Sequence, residues 1–234
     1  MILNIITRTK ARPKFFKICY ETIHNCIFNK LTLKHWVIYD EDSTLEYLKE
    51  YDNIELFKAL PCQQQIPNHG KLLHNDYFNQ VYKKINNGFI FHMDDDDFIS
   101  RPDAFLSIED EILKLNSEDL LIVQFEFAYN NTGPRPANQF YENKEIIQGQ
   151  IGGSCIICPI DLAKKHSWPP KKCGDLDFIR KINNAARSTY WLKHKIINAY
   201  VPGLGQCKDL NEEKWLRHPD IIKHWKNKIK LPTL

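Results

Sequence analysis

No stretch of this chain approaches the roughly 18 consecutive apolar residues that a membrane-crossing helix needs, so none is expected. Glycine-rich phosphate loops are missing too. Neither G-x-G-x-x-G nor G-x-x-x-x-G-K-[ST] occurs, which argues against a dinucleotide site and against P-loop chemistry. Charge of one sign is not in excess: the formal net charge of +3 is too small to point to a nucleic-acid partner. No disulfide framework is visible either. The seven cysteines are odd in number and scattered. Cys155 and Cys158 are two residues apart, but Ile156-Ile157 between them read as a buried strand. Reduced thiols are therefore expected rather than zinc ligands. Met1–Ile6 is too short an apolar segment for a secretory leader and runs straight into Thr7-Arg-Thr-Lys. A cytoplasmic location is expected, and the Asn130-Asn131-Thr132 triplet then carries no glycan.

What is present is a globular composition, 43% hydrophobic and 26% charged, on a chain long enough to bury a sizeable core. Its most unusual stretch is Asp94-Asp95-Asp96-Asp97, four acids set between the apolar runs Gly88–Met93 and Phe98-Ile99. Adjacent carboxylates repel unless a cation offsets them. In an extended strand Asp94 and Asp96 would share one face and Asp95 the other. Such clusters select hard divalent ions, Mn²⁺ or Mg²⁺.

The first half alternates strand and helix. Strands are expected at Ile2–Ile6, Leu33–Tyr39, Ile54–Phe57 and Gly88–Met93. Between them come a helix after Pro13, a second opened by a Ser43–Glu46 capping box, and a third over 72–85. That alternation predicts a parallel sheet with its ligand beyond the carboxyl ends of the strands. Thr7–Arg12, Asp40–Asp42 and the tetrad all fall at those ends. In the second half, Ser100–Asp103 should open a helix. Strands are expected at Leu120–Phe127, Glu145–Gln150, Gly153–Cys158 and Lys195–Val201, and helices at Pro159–His166 and from about Lys172. Arg135 lies in a Gly- and Pro-rich loop, from which it could face a substrate, but reads rather as solvated. His92 reads as packed beside its strand.

The order strand, Thr7-Arg-Thr-Lys-Ala-Arg-Pro-Lys-Phe-Phe16, strand, Asp40, strand, tetrad resembles a family 2 type glycosyltransferase of the GT-A fold over roughly residues 1–185. The resemblance implies an α/β fold: a Rossmann-like, nucleotide-binding parallel sheet with mixed strands on the acceptor side. It implies a single domain over 1–234, with a nucleotide-sugar half (1–99), an acceptor half (100–210) and a basic amphipathic tail (211–234). The tetrad corresponds to the DxD motif, with Asp96 as metal ligand, Asp95 as ribose contact and Asp94 in support; the register is open by one residue. Asp40 matches the nucleobase contact. Thr7, Arg8, Thr9 and Arg12 match the segment that cradles base and phosphate, with Lys10-Ala11 departing from the usual pattern. Lys71 and Asn75 match the donor-facing segment. Gly153 and Ser154 match the floor of the acceptor site.

Asp175 matches the acid that opens a helix and acts as catalytic base, although Gly174 stands where many relatives carry Glu. Asp177 is the other candidate, as an acceptor contact or as the base. The resemblance further implies a nucleotide-sugar donor, by default linked to uridine diphosphate, and a glycan or other hydroxyl acceptor, with inversion. A Gly203–Asp209 loop would close over the donor, His218 or His224 would complete the metal shell, and the tail would touch a membrane surface peripherally. The acids alone fit two other classes: a metal-dependent phosphoryl-transfer enzyme, and a non-catalytic nucleotide-sugar-binding module.

Overall fold

The computed structural model describes residues 1–62, 73–127, 133–199 and Glu212. Its first four strands are β1 (Ile2–Arg8), β2 (Thr32–Tyr39), β3 (Ile54–Lys58) and β4 (Phe89–Asp94). All pair in parallel, in the spatial order β3-β2-β1-β4. Helices α1 (Pro13–His24), α2 (Asp42–Leu48) and α3 (Asp76–Tyr82) connect them, as parallel pairing requires. The interiors of β1 and β4 are buried along their length, because helices or loops cover both faces of the sheet.

α1 shows how the pattern works. Pro13 occupies its first turn, where a missing N–H costs nothing. Phe15, Phe16, Ile18, Cys19 and Ile23 then line its buried face. Fully burying one such phenylalanine is worth about 1.5–3 kcal/mol. The helix is thus held mainly by packing.

Beyond β4 the sheet changes direction. β5 (Asp97–Ile99), β6 (Asp119–Phe127), β7 (Pro134–Arg135), β8 (Ile156–Pro159) and β9 (Ser188–Ala199) complete it. β8 runs antiparallel to β4 and to β6, and β9 runs parallel to β6. Helices α4 (Glu109–Lys114), α5 (Asn138–Asn143), α6 (Ile160–Lys164) and α7 (Gly174–Ala185) fill this half.

Several local expectations change. Ser43 lies inside α2, whose N-cap is Glu41 with no side-chain cap. Ser100–Asp103 forms turns rather than a helix start; α4 begins at Glu109 after a 3-10 turn over Leu106–Ile108. Glu145–Gln150 is not a strand but a half-exposed turn following α5. Gly153–Cys155 is a 3-10 turn that leads into β8. β9 starts seven residues before Lys195, because its register against β6 begins at Asp119 opposite Ser188.

Candidate active site

Register builds the site. β1 is aligned between its neighbours so that Arg8 lies opposite both Ile38 and Asp94. The carboxyl ends of β1, β2 and β4 are therefore level, and a cavity of about 680 Å³ opens just beyond them.

The four acids separate by direction. Asp94 ends β4, is half exposed and lines the cavity. Asp96 and Asp97 line it too, although each is more than nine-tenths buried. Asp95 points the other way. It has no exposed surface, and its Oδ1 lies 2.5 Å from Arg12 Nη2. It therefore does not line the cavity, where a ribose contact was expected of it; of this pair of neighbours Asp94 does. Burial raises the carboxyl pKa of Asp95, Asp96 and Asp97. Arg12 opposes the rise at Asp95 and Asp96 without cancelling it, even though the same pairing keeps the guanidinium charged. Asp97 Oδ2 accepts from Ser154 Oγ at 3.3 Å and from the Asp94 N–H at 3.4 Å.

At the other end of the cavity, Asp40 Oδ2 accepts from Tyr77 OH at 3.0 Å and from Lys10 Nζ at 3.5 Å. Thr9 lines the wall but shares its hydroxyl with Tyr47 at 2.7 Å. Thr7 lies below the cavity floor, fully buried, with its hydroxyl against His35 Nε2 at 3.0 Å. It has no surface to offer a donor. Lys71, the 203–209 loop, His218, His224 and the 213–234 part of the tail lie outside the described residues.

A chain of contacts joins the two halves. Arg8 Nη2 lies 3.3 Å from Asp94 Oδ1, and its Nη1 donates to Asn75 Oδ1 at 3.2 Å. Asn75 Nδ2 in turn donates to the Pro169 and Lys171 carbonyls at 3.3 and 3.2 Å, just before α7. Asp175 sits in the first turn of α7 and lines the same cavity. Burial raises its pKa, the Leu176 N–H works against the rise, and the Asp94 charge adds to it. A carboxylate so placed is a stronger base than one in water. Gly152 lies beside it: a Cβ built there would be 3.6 Å from Asp175 Oδ2. Gly153 and Ser154 also line the cavity, and a Cβ on Gly153 would meet the Trp168 ring at 2.9 Å. Asp177 does not line the cavity; it pairs with Lys171 at 2.5 Å.

His92 is 3% exposed, bonds Tyr82 OH at 2.6 Å and packs on Phe78 and Trp168. Its pKa is lowered to about 3 by burial, so it stays neutral. Sequence reasoning missed the part played by Pro169 and Lys171, whose carbonyls receive Asn75; Arg135, read chiefly as a solvated loop residue, lines the cavity. Asn75 was expected at the site, but this loop is what couples it, and Arg8 with it, to the start of α7.

The donor set fits a divalent cation. Three carboxylates, Asp94, Asp95 and Asp96, pair with two guanidinium groups, Arg8 and Arg12, and Asp97 stands beside them, leaving acid in excess. Among the described residues no group of three or more His, Cys, Asp or Glu is arranged to hold a metal. Mg²⁺ and Mn²⁺ are usually held by one or two carboxylates together with substrate phosphates, and Asp94 and Asp96 bring two carboxylates to the cavity wall.

No family model matches the sequence, and no curated protein matches it. Solved structures do. Residues 1–349 of S. aureus TarS superpose with a TM-score of 0.66 at 17% identity, covering 96% of this chain and 71% of that one. The same piece in complex with UDP-GlcNAc gives 0.65 at 18% identity, covering 86% and 59%. The mannosyltransferase PcManGT from Pyrobaculum calidifontis, in complex with GDP-Man and Mn²⁺, gives 0.58 at 11% identity, covering 86% and 57%. The chain spans 37% of the longer TarS structure. At such identities the likeness is one of fold, and the fold is the mixed α/β GT-A type.

Proposed function

We propose that this chain is a metal-dependent, inverting glycosyltransferase of the family 2 kind. It would move a hexose-like sugar from a nucleoside-diphosphate sugar, UDP-linked, to an acceptor hydroxyl. One observation carries the reading. Asp175, with a raised pKa, shares a cavity with Asp94 and Asp96, and that cavity sits at the carboxyl edge of the parallel strands. Structures similar to it in fold include complexes with UDP-GlcNAc and with GDP-Man and Mn²⁺, which supports the donor class.

Asp40, with Tyr77, stands where a nucleobase edge would bond. Arg8, held between Asp94 and Asn75, would meet the diphosphate. Asp96, with Asp94, would hold the divalent ion, which when bound supplies Lewis-acid neutralisation of the leaving diphosphate. Asp175 takes the proton of the acceptor hydroxyl while that oxygen bonds to the anomeric carbon and the bond to the diphosphate breaks. A single displacement inverts the configuration. The 1–99 and 100–210 halves divide these tasks between donor and acceptor. No helix among the described residues is long and apolar enough to cross a membrane. A cytoplasmic site of action, with peripheral membrane contact through the tail, belongs to the same proposal.

The test is a panel of nucleotide sugars with and without Mn²⁺, read as thermal shift and as nucleotide release. A true donor raises the melting temperature by mass action. Asp175→Asn should slow transfer by about 10²–10⁴-fold while keeping the donor-induced shift. Cleavage of a phosphoester or nucleic acid, with no response to any nucleotide sugar, would instead favour a phosphoryl-transfer enzyme. A shift without turnover for any acceptor would favour a binding module.

A further inference from the structure

Most cations that line the cavity are engaged by its acids. Arg8 pairs with Asp94, Arg12 with Asp95 and Asp96, and Lys10 with Asp40 and Glu41. Arg135 and Lys172 also line it, yet among the described residues neither has a carboxylate partner.

Arg135 is fixed rather than loose. It stands on β7, opposite Phe125 of β6. Its Nη1 donates to the Gly149 carbonyl at 2.7 Å, and its guanidinium lies 4.7 Å from the centroid of the Phe127 ring. Those contacts hold one edge and one face of the group. An arginine has five N–H donors, so most remain uncommitted. Gln148, the residue before Gly149, donates to Cys173 Sγ at 3.2 Å, and Lys172 is the residue before Cys173. A single turn, 148–149, thus ties Arg135 to the start of α7, where Asp175 sits. Holding a guanidinium on a ring and a carbonyl without neutralising it preserves a fork suited to a planar oxyanion.

We propose that Arg135 and Lys172 bind an oxyanion, phosphate or carboxylate, carried by the acceptor. The inference rests on the glycosyl-transfer reading and supplies the acceptor class that reading leaves open. The acids near β4 repel an anion, so a negatively charged acceptor would be drawn in from the side carrying these two cations and would present its hydroxyl to Asp175.

The test uses the protein saturated with UDP and Mn²⁺, so that the donor side is filled. Glycerol 3-phosphate, glycerate and glycerol are then titrated calorimetrically. Both anions should bind at least about tenfold more tightly than glycerol, given the strength of charge-assisted bonds. Whichever binds better identifies the oxyanion. Arg135→Gln should weaken anion binding by about tenfold and Lys172→Gln by about threefold, with UDP affinity kept within about twofold. Arg135→Lys keeps the charge, loses the fork, and should fall between the parent and Arg135→Gln; it also guards against misfolding of the glutamine variant. Equal affinity for glycerol and its phosphate would overturn the proposal, as would an Arg135→Gln protein with parental affinity. So would an anion affinity that survives Arg135→Gln but is lost with Arg8→Gln. If UDP does not bind, the donor reading fails, and the Arg135 dependence is read separately without nucleotide.

Discussion

Removing the Asp95 carboxylate would leave the Arg12 guanidinium, 17% exposed, with Asp96 at 3.6 Å as its remaining carboxylate pair among the described residues. Breaking one side of a buried pair is far more costly than losing a surface pair. Asp95→Ala should therefore lower folding stability by about 3 kcal/mol in urea unfolding. Asp96→Ala keeps the Asp95–Arg12 contact and removes a like charge. It should change stability by less than about 1 kcal/mol and still abolish metal-dependent transfer. The reverse ranking would show that Asp95, not Asp96, faces the ligand. The division of these neighbours was legible in part, because strand alternation already sets Asp94 and Asp96 against Asp95. What holds Arg135 at the cavity was not legible. A Pro-Arg-Pro segment reads as solvated loop, and nothing local reveals the Phe127 ring or the Gly149 carbonyl that it reaches.

α7 shows the same limit at the scale of an element. Its start near Lys172 and its first-turn acids could be read from residue types, since acids favour a helix N-terminus. Why glycine opens it could not. A Cβ on Gly174 would lie 2.2 Å from the Pro169 carbonyl oxygen and 2.8 Å from Asn75 Nδ2. The helix start is pressed against the loop that receives Asn75, which leaves no room for a side chain at this position. Gly174→Ala should thus cost about 1–3 kcal/mol by overpacking. It should also reduce turnover more than donor binding, because Asp175 is the next residue. A variant with parental melting temperature and turnover would show that the loop yields freely. β1 to β4 were legible because each is a compact apolar run between helical periods. β5 was hidden by the acids that begin it. Glu145–Gln150 was misread because Ile146-Ile147 resembles a short strand, yet no neighbouring strand pairs with it in the sheet.

The order β3-β2-β1-β4-β8-β6-β9-β5 lay beyond sequence reading, since only pairings distant in the chain decide where the sheet reverses. One consequence of this long-range packing is a buried histidine whose cost falls on the whole molecule. His35 on β2 is 1% exposed, with Nε2 at 3.0 Å from Thr7 Oγ1 and Nδ1 at 3.2 Å from His24 Nε2. Burial, and then the His24 charge, lower its pKa from 6.5 to about 3. The folded state therefore holds His35 neutral where the unfolded chain would protonate it. Its favourable state is present above the unfolded value of 6.5, and stability is lost as pH falls from there towards about 3. Well inside that window the unfolded state binds one more proton, a slope of about 1.4 kcal/mol per pH unit. The raised carboxyl groups of Asp95, Asp96 and Asp97 act with the opposite sign, because folding favours their neutral forms as pH falls. Their effect is common to the parent and to a His35 variant and cancels between them. His35→Gln removes the imidazole that must stay uncharged. Its unfolding free energy, measured in urea at pH 7, 6, 5 and 4.5, should fall less steeply than the parent's by up to that slope. Parallel curves would mean that His35 takes up its proton without unfolding, and that the parallel half of the sheet admits water at β2.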